Sequence, residues 1–313
     1  MISVGGENLI DLVSGEAAAN GLPQYVANPG GSPFNVAMAV GRQGREVAYL
    51  TPVSKDALGD LLAERLVQSH VKLVAPRLPH PTSLAVVSIT DGIPSYAFHR
   101  NGTAEREVSI DSLERDMPAA TTLFHVGSLG LIDGDDADSW ERFFVDCQTR
   151  GLMTSMDPNV RPGLIKDRDG YIARIRRMMR HVDIFKLSDE DLEWLYPDRS
   201  LDEALAACRA DCDAVLFILT LGGAGSRAFL GGIELQADAP AVENLVDTVG
   251  AGDTFMATIL SWVVESGLVT RAALAAIDED TLRAAIHRAG AAAAINCGRS
   301  GCNPPWREEL ASI

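Results

Sequence analysis

Short apolar runs alternate with amphipathic segments of helix length along most of this 313-residue chain. This alternation indicates βαβ units, and therefore a mainly parallel sheet with helices on both faces. In such a sheet, ligands bind beyond the carboxyl ends of the strands. We predict strands at 3–6, 47–53, 122–127, 152–158, 183–188 and 214–222, and helices at 33–43, 57–69, 137–150, 170–181, 251–266 and 279–296.

Two stretches depart from this alternation and predict a small lid. Residues 12–30 are polar and rich in Gly, Ala and Pro, and residues 84–100 alternate like two strands around the turn DGIP. Together, over about 12–30 and 84–106, they predict an antiparallel flap inserted in one domain that spans 1–313. A flap of this kind would exclude water from a reacting centre. The alternative is an ordinary edge hairpin.

Composition excludes several classes of protein. Hydrophobic residues make up 47% of the chain, which is enough for a sizeable core, and the formal net charge is −16. A nucleic-acid surface needs a basic patch, so this charge argues against one. The sequence has no apolar run of 18 residues, and its first residues resemble a strand and not a signal peptide. We therefore expect a cytoplasmic protein that binds neither nucleic acid nor membrane.

The five cysteines predict neither a disulfide framework nor a zinc site. Their number is odd and the chain is long, which is unlike a small disulfide-stapled protein. Cys208 and Cys212 lie four residues apart on a predicted helix, but no second pair of ligands accompanies them. We interpret the cysteines as reduced structural thiols.

The stretch VDTVGAGDTF, residues 246–255, predicts an anion site beside a carboxylate. Glycines before a helix let backbone N–H groups face a ligand, and the first N–H groups of a helix have no partner within it. The helix dipole adds partial positive charge, so Gly250, Ala251 and Gly252 suit a phosphate. Asp253 beside them could take a proton from an attacking hydroxyl. The alternative is that Asp253 only caps its helix.

The chain lacks the commonest nucleotide-binding motifs. GxxxxGK[ST] is absent, the glycine cluster LGGAG at 221–225 has no lysine after it, and no GxGxxG follows the first strand. These absences exclude a P-loop enzyme and a simple Rossmann dehydrogenase. Lys186, at the end of the strand DIFK, could reach a phosphate or could simply be solvated.

Two separated motifs resemble those of the ribokinase-like, or pfkB-type, sugar kinases. Residues 246–255 resemble the family's C-terminal signature DTxGAGD, and PGGSPFNVAMAVGRQG at 29–44 resembles its N-terminal signature. DPNVRP, KLSDEDLEWL, ILTLGGAGS and GCNPPW are also similar to family segments, and the first two look most like bacterial fructokinases. The resemblance covers nearly the whole chain. It implies a ribokinase-like three-layer α/β sandwich, with a mainly parallel central sheet between helices and a small β-lid.

The resemblance also implies roles for individual residues. Asp253 would be the catalytic base, Gly250, Ala251 and Gly252 the anion hole, and Arg161 a charge near the transferred phosphate. The sugar would contact Asp11, Gly30, Gly31, Asn35, Phe98 and Arg100. The nucleotide would contact Lys186, Ser188, Thr220, Gly222, Gly225 and Asn296.

Metal contacts are implied less completely. Asp247 and the carbonyl of Val249 match part of a monovalent-cation loop, but Cys302 stands where a small Ala is common. Ser188 and Asp191 occupy positions where the family often has Asn and Glu near Mg²⁺. The shorter Asp191 favours contact with Mg²⁺ through water, because this ion usually keeps several waters.

The expected function is ATP-dependent phosphorylation of a sugar, with ATP and Mg²⁺, and K⁺ in some members of the family. Fructose is the favoured acceptor, and 2-keto-3-deoxygluconate, ribose and another ketohexose are the alternatives. A non-catalytic sugar-binding regulator is a further alternative, although such a protein would be expected to lose the base or the glycines. The lid could also pair two subunits in a homodimer.

Overall fold

The computed structural model describes residues 1–15, 18, 20–90 and 93–311. The turn DGIP predicted within the lid includes Asp91 and Gly92, which lie outside the described residues, and so do residues 16, 17 and 19 of the other lid segment.

The largest element is a nine-stranded sheet. Its strands are β1 (Ile2–Gly5), β4 (Val47–Tyr49), β6 (Val71–Leu73), β10 (Leu123–Gly127), β11 (Met153–Asp157), β12 (Ile184–Ser188), β13 (Leu216–Thr220), β14 (Ser226–Leu230) and β15 (Ile233–Ala237). They lie in the order β15-β14-β13-β12-β11-β10-β1-β4-β6. All neighbours from β13 to β6 are parallel, whereas β14 and β15 add an antiparallel edge. Five of the six predicted strands match one strand each within two residues, and the run at 47–53 divides into β4 and another short strand.

Helices cover both faces of this sheet. The helices are α1 (Ser32–Arg42), α2 (Ala57–Gln68), α3 (Ile110–Asp116), α4 (Gly134–Thr149), α5 (Arg168–Met179), α6 (Asp189–Leu195), α7 (Leu201–Ala210), α8 (Ala251–Glu265), α9 (Arg271–Ala275), α10 (Glu279–Cys297) and α11 (Arg307–Leu310). Within the described ranges, none of them has both the length and the apolar character needed to cross a bilayer.

Two hydrophobic clusters hold the helices against the two faces of the main sheet. Along β13, Leu216 and Ile218 pack into a cluster with α1, α2, α8, α9 and α10, while Phe217 and Leu219 pack with α3 to α7 on the opposite face. This alternation is what a strand buried on both faces requires, since successive side chains point to opposite sides. The predicted three-layer α/β arrangement is therefore confirmed.

A second, four-stranded sheet forms from the two stretches predicted as a lid. It consists of β2 (Leu9–Ser14), β3 (Tyr25–Gly30), β8 (Leu84–Thr90) and β9 (Ile93–His99), in the order β3-β2-β8-β9. The prediction of a purely antiparallel flap was wrong, because β2 and β8 pair in parallel. β8 and β9 belong to this sheet and not to the edge of the main one. The short strands β5 (Val53–Ser54) and β7 (Arg77–Leu78) pair separately.

The carboxyl ends of the central strands bring polar residues to one edge. Asp157 ends β11, Ser188 ends β12 and Thr220 ends β13, and the last two are partners in register. In parallel sheets this edge is where ligands bind. The helices α1 and α8, which pack against each other, begin near it.

Candidate active site

The start of α8 leaves backbone donors unused. Gly250 is the residue before the helix and has φ 75, a left-handed conformation that glycine adopts without steric cost. A Cβ at this position would lie 2.3 Å from the Sγ of Cys302. Among the described residues, the N–H groups of Gly252 and Asp253 donate to no acceptor. These two donors, with the helix dipole behind them, can hold an anion.

Asp253 is held by side chains from α1 and from the loop after β11. Its Oδ1 accepts from Ser32 Oγ at 2.7 Å and from Asn159 Nδ2 at 3.5 Å, and its Oδ2 accepts from Asn35 Nδ2 at 2.8 Å. None of these described bonds comes from α8 itself, so Asp253 is not merely a cap for its own helix. Burial raises the pKa of Asp253, and the bonds from Asn35 and Ser32 oppose that rise. The result is a buried carboxylate fixed next to free N–H donors.

The start of α1 forms the opposite wall of the site. Gly31, before the helix, has φ 111, and a Cβ there would lie 2.9 Å from the carbonyl oxygen of Glu7. Gly30 lies against the Asp11 carboxylate, where a Cβ would approach Oδ2 to 2.6 Å. The Oδ1 of Asn35 is buried without a hydrogen-bond partner within the described part of the chain. The wall therefore carries, among the described residues, a buried acceptor without a partner on Asn35 and the carboxylate of Asp11 beside Gly30.

Asp11 and Arg161 are electrostatically linked. Burial raises the pKa of Asp11 to about 6, and the charge of Arg161 acts in the opposite direction. Arg161 is exposed, and its Nη1 donates to the Oδ1 of Asn159 at 2.6 Å. Since Asn159 also contacts Asp253, one amide joins Arg161 to the carboxylate at the start of α8.

Lys186 is not solvated. It is 3% exposed, and its Nζ lies 2.6 Å from the Oδ2 of Asp157. Burial lowers the pKa of Lys186, but Asp157 outweighs that effect and leaves the pKa raised. A Cβ on Gly252 would lie 3.4 Å from the same Nζ, so this ammonium group lies beside the glycine turn.

Ser188 and Asp191 close the start of α6 with a reciprocal capping box. Ser188 Oγ accepts from the N–H of Asp191 at 3.0 Å, and Asp191 Oδ2 accepts from the N–H of Ser188 at 3.0 Å. Asp191 Oδ1 accepts from the N–H of Val160 at 2.7 Å. Both oxygens of Asp191 thus hold backbone, and within the described ranges no group of three or more His, Cys, Asp or Glu side chains has metal-binding geometry.

The loop before α8 is fixed by its own Asp247 and by Asn296 of α10. Asp247 accepts from the N–H of Val249 at 3.0 Å and from the N–H of Gly301 at 2.9 Å. Asn296 is fully buried, donates to the carbonyl oxygen of Val249 at 2.8 Å and accepts from the N–H of Asn303 at 2.8 Å. In the described part of the chain, these two bonds use one of the two Nδ2 hydrogens and one lone pair of Oδ1, and nucleotide binding by Asn296 stays a prediction.

The loop after β13 turns tightly, and its backbone passes close to the backbone after β15. Gly222 and Gly225 have φ values of 53 and 95, and a Cβ at Gly225 would lie 2.0 Å from the carbonyl oxygen of Ala237. Thr220, at the strand end, is partly exposed and donates its hydroxyl to the carbonyl oxygen of Leu187 at 3.3 Å. These predicted nucleotide residues therefore share one loop at the carboxyl edge of the sheet.

Arg100 and Phe98 lie at the base of the lid. Arg100 is buried, and its guanidinium donates to both oxygens of Glu105, at 2.8 and 3.1 Å, and to the carbonyl oxygen of Leu129 at 3.2 Å. These three bonds anchor the end of β9, and sugar binding by Arg100 stays a prediction. Phe98 is half-buried and packs against the core cluster on the α4 side of the main sheet.

Sequence reasoning missed three residues of the site. Ser32 and Asn159 contact Asp253 directly, and Glu7 is buried and accepts from the N–H of Ser32 at 2.7 Å. All three follow a glycine or proline at a strand end or helix start, in GGEN, GGSP and DPNV. That placement was the available signal, since such positions lie at the edge where ligands bind.

Comparison with known proteins places this geometry in a family. The model of the pfkB family carbohydrate kinases matches residues 2–309. A fructokinase of Rhizobium leguminosarum bv. trifolii is 36% identical over 284 residues, which cover 90% of this chain and 86% of the relative.

Solved structures show the same fold. The ATP-bound fructokinase of Xylella fastidiosa has a TM-score of 0.89 at 24% identity and covers 99% of this chain and 97% of its own. The fructokinase of Vibrio cholerae O395 bound to fructose, ADP and calcium has a TM-score of 0.83 at 24% identity, with coverages of 99% and 97%. The resemblance in the two sequence signatures is confirmed, and the chain belongs to the pfkB family of carbohydrate kinases.

Proposed function

We propose that this chain is an ATP-dependent fructokinase, which transfers the terminal phosphoryl group of ATP to the primary hydroxyl of fructose. The observation that carries the proposal is the buried Asp253 carboxylate beside the unused N–H groups of the glycine turn. Phosphoryl transfer needs little covalent help from a protein. It needs an aligned nucleophile and stabilisation of charge on the moving group, and this arrangement supplies both. Relatives named fructokinase support fructose as the acceptor.

The sugar would bind between the lid and the start of α1. Asp11 and the free Oδ1 of Asn35 are acceptors for hydroxyl groups, and Gly30 and Gly31 allow the ring to approach the backbone. Phe98 would contribute apolar contact from the lid. The four-stranded sheet would act as the lid over this site and exclude water.

Asp253 would act as the general base. Ser32 and Asn159 donate to Oδ1 and Asn35 donates to Oδ2, whereas a carboxylate offers about four acceptor positions, so capacity for the sugar hydroxyl remains on Oδ2. The hydroxyl proton passes to Asp253, the hydroxyl oxygen bonds to the terminal phosphorus, and the bond from that phosphorus to the ADP oxygen breaks.

The nucleotide would lie along the opposite half of the edge. Its terminal phosphate would meet the N–H groups of the glycine turn, with Lys186 beside that turn and Arg161 joined to Asp253 through Asn159. The loop that carries Thr220, Gly222 and Gly225 would contact the rest of the nucleotide. Ser188 lies next to Thr220 and completes this wall.

The acidic residues at this edge of the sheet would hold Mg²⁺ through the water molecules bound to the ion. Asp157 lies close enough to Asp191 that its charge raises the pKa of Asp191, in addition to the larger effect of burial. Two close carboxylates, each already accepting a bond, suit an ion that keeps its waters. When bound, Mg²⁺ neutralises charge on the phosphates. K⁺ would use Asp247 and the Val249 carbonyl, whose remaining lone pairs are free to bind it.

A panel of acceptors in a coupled ATP-consumption assay tests the proposal. Fructose, ribose, 2-keto-3-deoxygluconate and other ketohexoses would be compared, each with and without K⁺, and with Asp253→Asn as the inactive control. The highest kcat/KM is expected for fructose. A clear preference for another sugar would replace the acceptor but keep the chemistry, whereas sugar binding without any ADP release would favour a non-catalytic regulator.

The lid also offers a surface for a homodimer. Leu22, Tyr25 and Val26 are 60%, 45% and 57% exposed, and Tyr25 and Val26 belong to β3, which is an edge strand of this sheet. We propose that this edge pairs with a second copy. Sedimentation of the wild type and of Val26→Asp would test the pairing, and a wild-type monomer at micromolar concentration would reject it.

We also propose the cytoplasm as the place of action, because the reaction consumes ATP from the cellular pool. Cell fractionation with an antibody to the native chain tests this, and recovery of the protein outside the cytoplasmic fraction would reject it.

A further inference from the structure

Ser32 connects the buried Glu7 to Asp253. Its N–H donates to Glu7 Oε1 at 2.7 Å, and its hydroxyl donates to Asp253 Oδ1 at 2.7 Å. Ser32 is 7% exposed and Glu7 is 1% exposed, so both bonds are shielded from water. Low local dielectric strengthens hydrogen bonds of this kind. The hydroxyl of Ser32 does not cap α1, which has no side-chain cap.

The two residues of α1 that contact Asp253 have different spare capacity. A serine hydroxyl has one proton to donate, and that of Ser32 is committed to Asp253. Asn35 has two N–H donors and an acceptor, and only one donor is used on Asp253, while its Oδ1 has no partner among the described residues. Asn35 can therefore contact Asp253 and the sugar together, whereas Ser32 has no donor left for the sugar.

We propose that Ser32 is a positioning residue for the base: its hydroxyl aims the Asp253 carboxylate, and Glu7 holds Ser32 in place. The inference rests on the proposed function, in which Asp253 takes the proton of the sugar hydroxyl. A hydrogen bond to a carboxylate both fixes its orientation and favours its ionised form.

Other charged groups around Asp253 bear on the same equilibrium. Asp157 on β11 raises the pKa of Asp253, Lys186 on β12 lowers it, and the charge of Asp253 raises the pKa of the Cys302 thiol. Burial has the largest effect and raises the pKa of Asp253. Ser32 and Asn35 are the only neighbours in the described part of the chain that hold this carboxylate through bonds shorter than 3 Å.

The test is the pH profile of Ser32→Ala with fructose. Loss of a bond to a charged acceptor is expected to raise the pKa of the acidic limb of kcat by about one pH unit. Activity near pH 5.5 should then fall by up to about tenfold, while activity near pH 8.5 and the KM for fructose change by less than about threefold. An acidic limb at its wild-type position, or an equal loss at every pH, would overturn the proposal.

Two further variants cover the case in which Ser32→Ala does not fold and separate the role of Ser32 from that of Asn35. Ser32→Cys preserves volume but is a weak donor, so it should reproduce the altered limb if Ser32→Ala does not fold. Asn35→Ala should raise the KM for fructose as well as lower kcat, because Asn35 also faces the sugar. A wild type inactive on every sugar would reject the proposed function. If the wild type is active but the pKa of the acidic limb of kcat stays at its wild-type value in both Ser32→Cys and Ser32→Ala, this inference alone is rejected.

Discussion

The starts of α6 and α8 place an aspartate at the same helical position and use it differently. Asp191 and Asp253 are each three residues beyond the residue that precedes the helix. Asp191 accepts from the backbone of its own helix start and from Val160, whereas Asp253 accepts only from side chains of other elements among the described residues. The difference follows from the preceding residue. Ser188 forms a reciprocal box, and Gly250 has no side chain to form one.

The largest expected difference between the two aspartates is catalytic. Asp253→Asn removes the proposed base and should lower kcat by about a thousandfold, within the range that general base catalysis supplies. Asp191→Asn should lower kcat by less than about tenfold, since its oxygens hold backbone. Steady-state assays with fructose and ATP would measure both, and sugar binding by calorimetry would show that Asp253→Asn keeps its site. Near-normal turnover in Asp253→Asn would contradict the assignment of the base.

A second prediction concerns the residue that leaves α8 open. Gly250→Ala forces a side chain into a left-handed conformation and against Cys302 Sγ, so the turn must shift. A displacement of about 1 Å in a catalytic group can cost about a hundredfold in rate, and we expect a loss of kcat of that order. Gly231→Ala, at a turn with φ 55, with open space around it and away from the site, is the matched control and should retain its rate. Equal activity of the two variants would show that the turn geometry is not needed.

A third prediction concerns Asp11, a carboxylate whose pKa is raised to about 6, chiefly by burial. Its ionised form accepts bonds from sugar hydroxyls, and that form is lost as pH falls through 6. The KM for fructose should therefore rise about tenfold between pH 7.5 and pH 5, if only the ionised form binds. In Asp11→Asn the KM should be high at both values and nearly independent of pH. A wild-type KM that is constant over this interval would exclude this role for Asp11.

The smallest expected effect is on stability and again separates the two aspartates. In Asp191→Asn, an amide NH₂ faces a backbone N–H that cannot turn, which should lower the free energy of unfolding by about 1–3 kcal/mol. In Asp253→Asn, the hydroxyl of Ser32 can rotate and the amide of Asn35 can flip, so the partners adapt. Urea unfolding at pH 7 measures both variants. A larger loss for Asp253→Asn would mean that its partners are as rigid as the backbone around Asp191.

Local sequence patterns predicted the helices and strands that carry the site more accurately than they predicted the contacts between its side chains. The helix predicted at 251–266 corresponds to Ala251–Glu265, because its apolar run is long and the glycines before it mark a clear start. β2 and β3 were predicted only as part of a β-flap, without bounds, since residues 12–30 lack a regular apolar alternation and the strands form by pairing with each other and with β8. Arg100 was assigned to the sugar, and its pairing with Glu105 depends on how β9 ends near Leu129.

The sequence by itself determined the α/β class, the two signatures and the glycine turn with its aspartate. These depend on residues close together in the chain, where periodicity and backbone freedom act directly. Only the tertiary structure decided that Lys186 pairs with Asp157, that Asn296 holds the Val249 loop and that Ser32 holds Asp253. Those partners are 29, 47 and 221 positions apart. The packing of α1 against α8 at the carboxyl edge of the sheet brings the most distant pair together, and no local pattern encodes that contact.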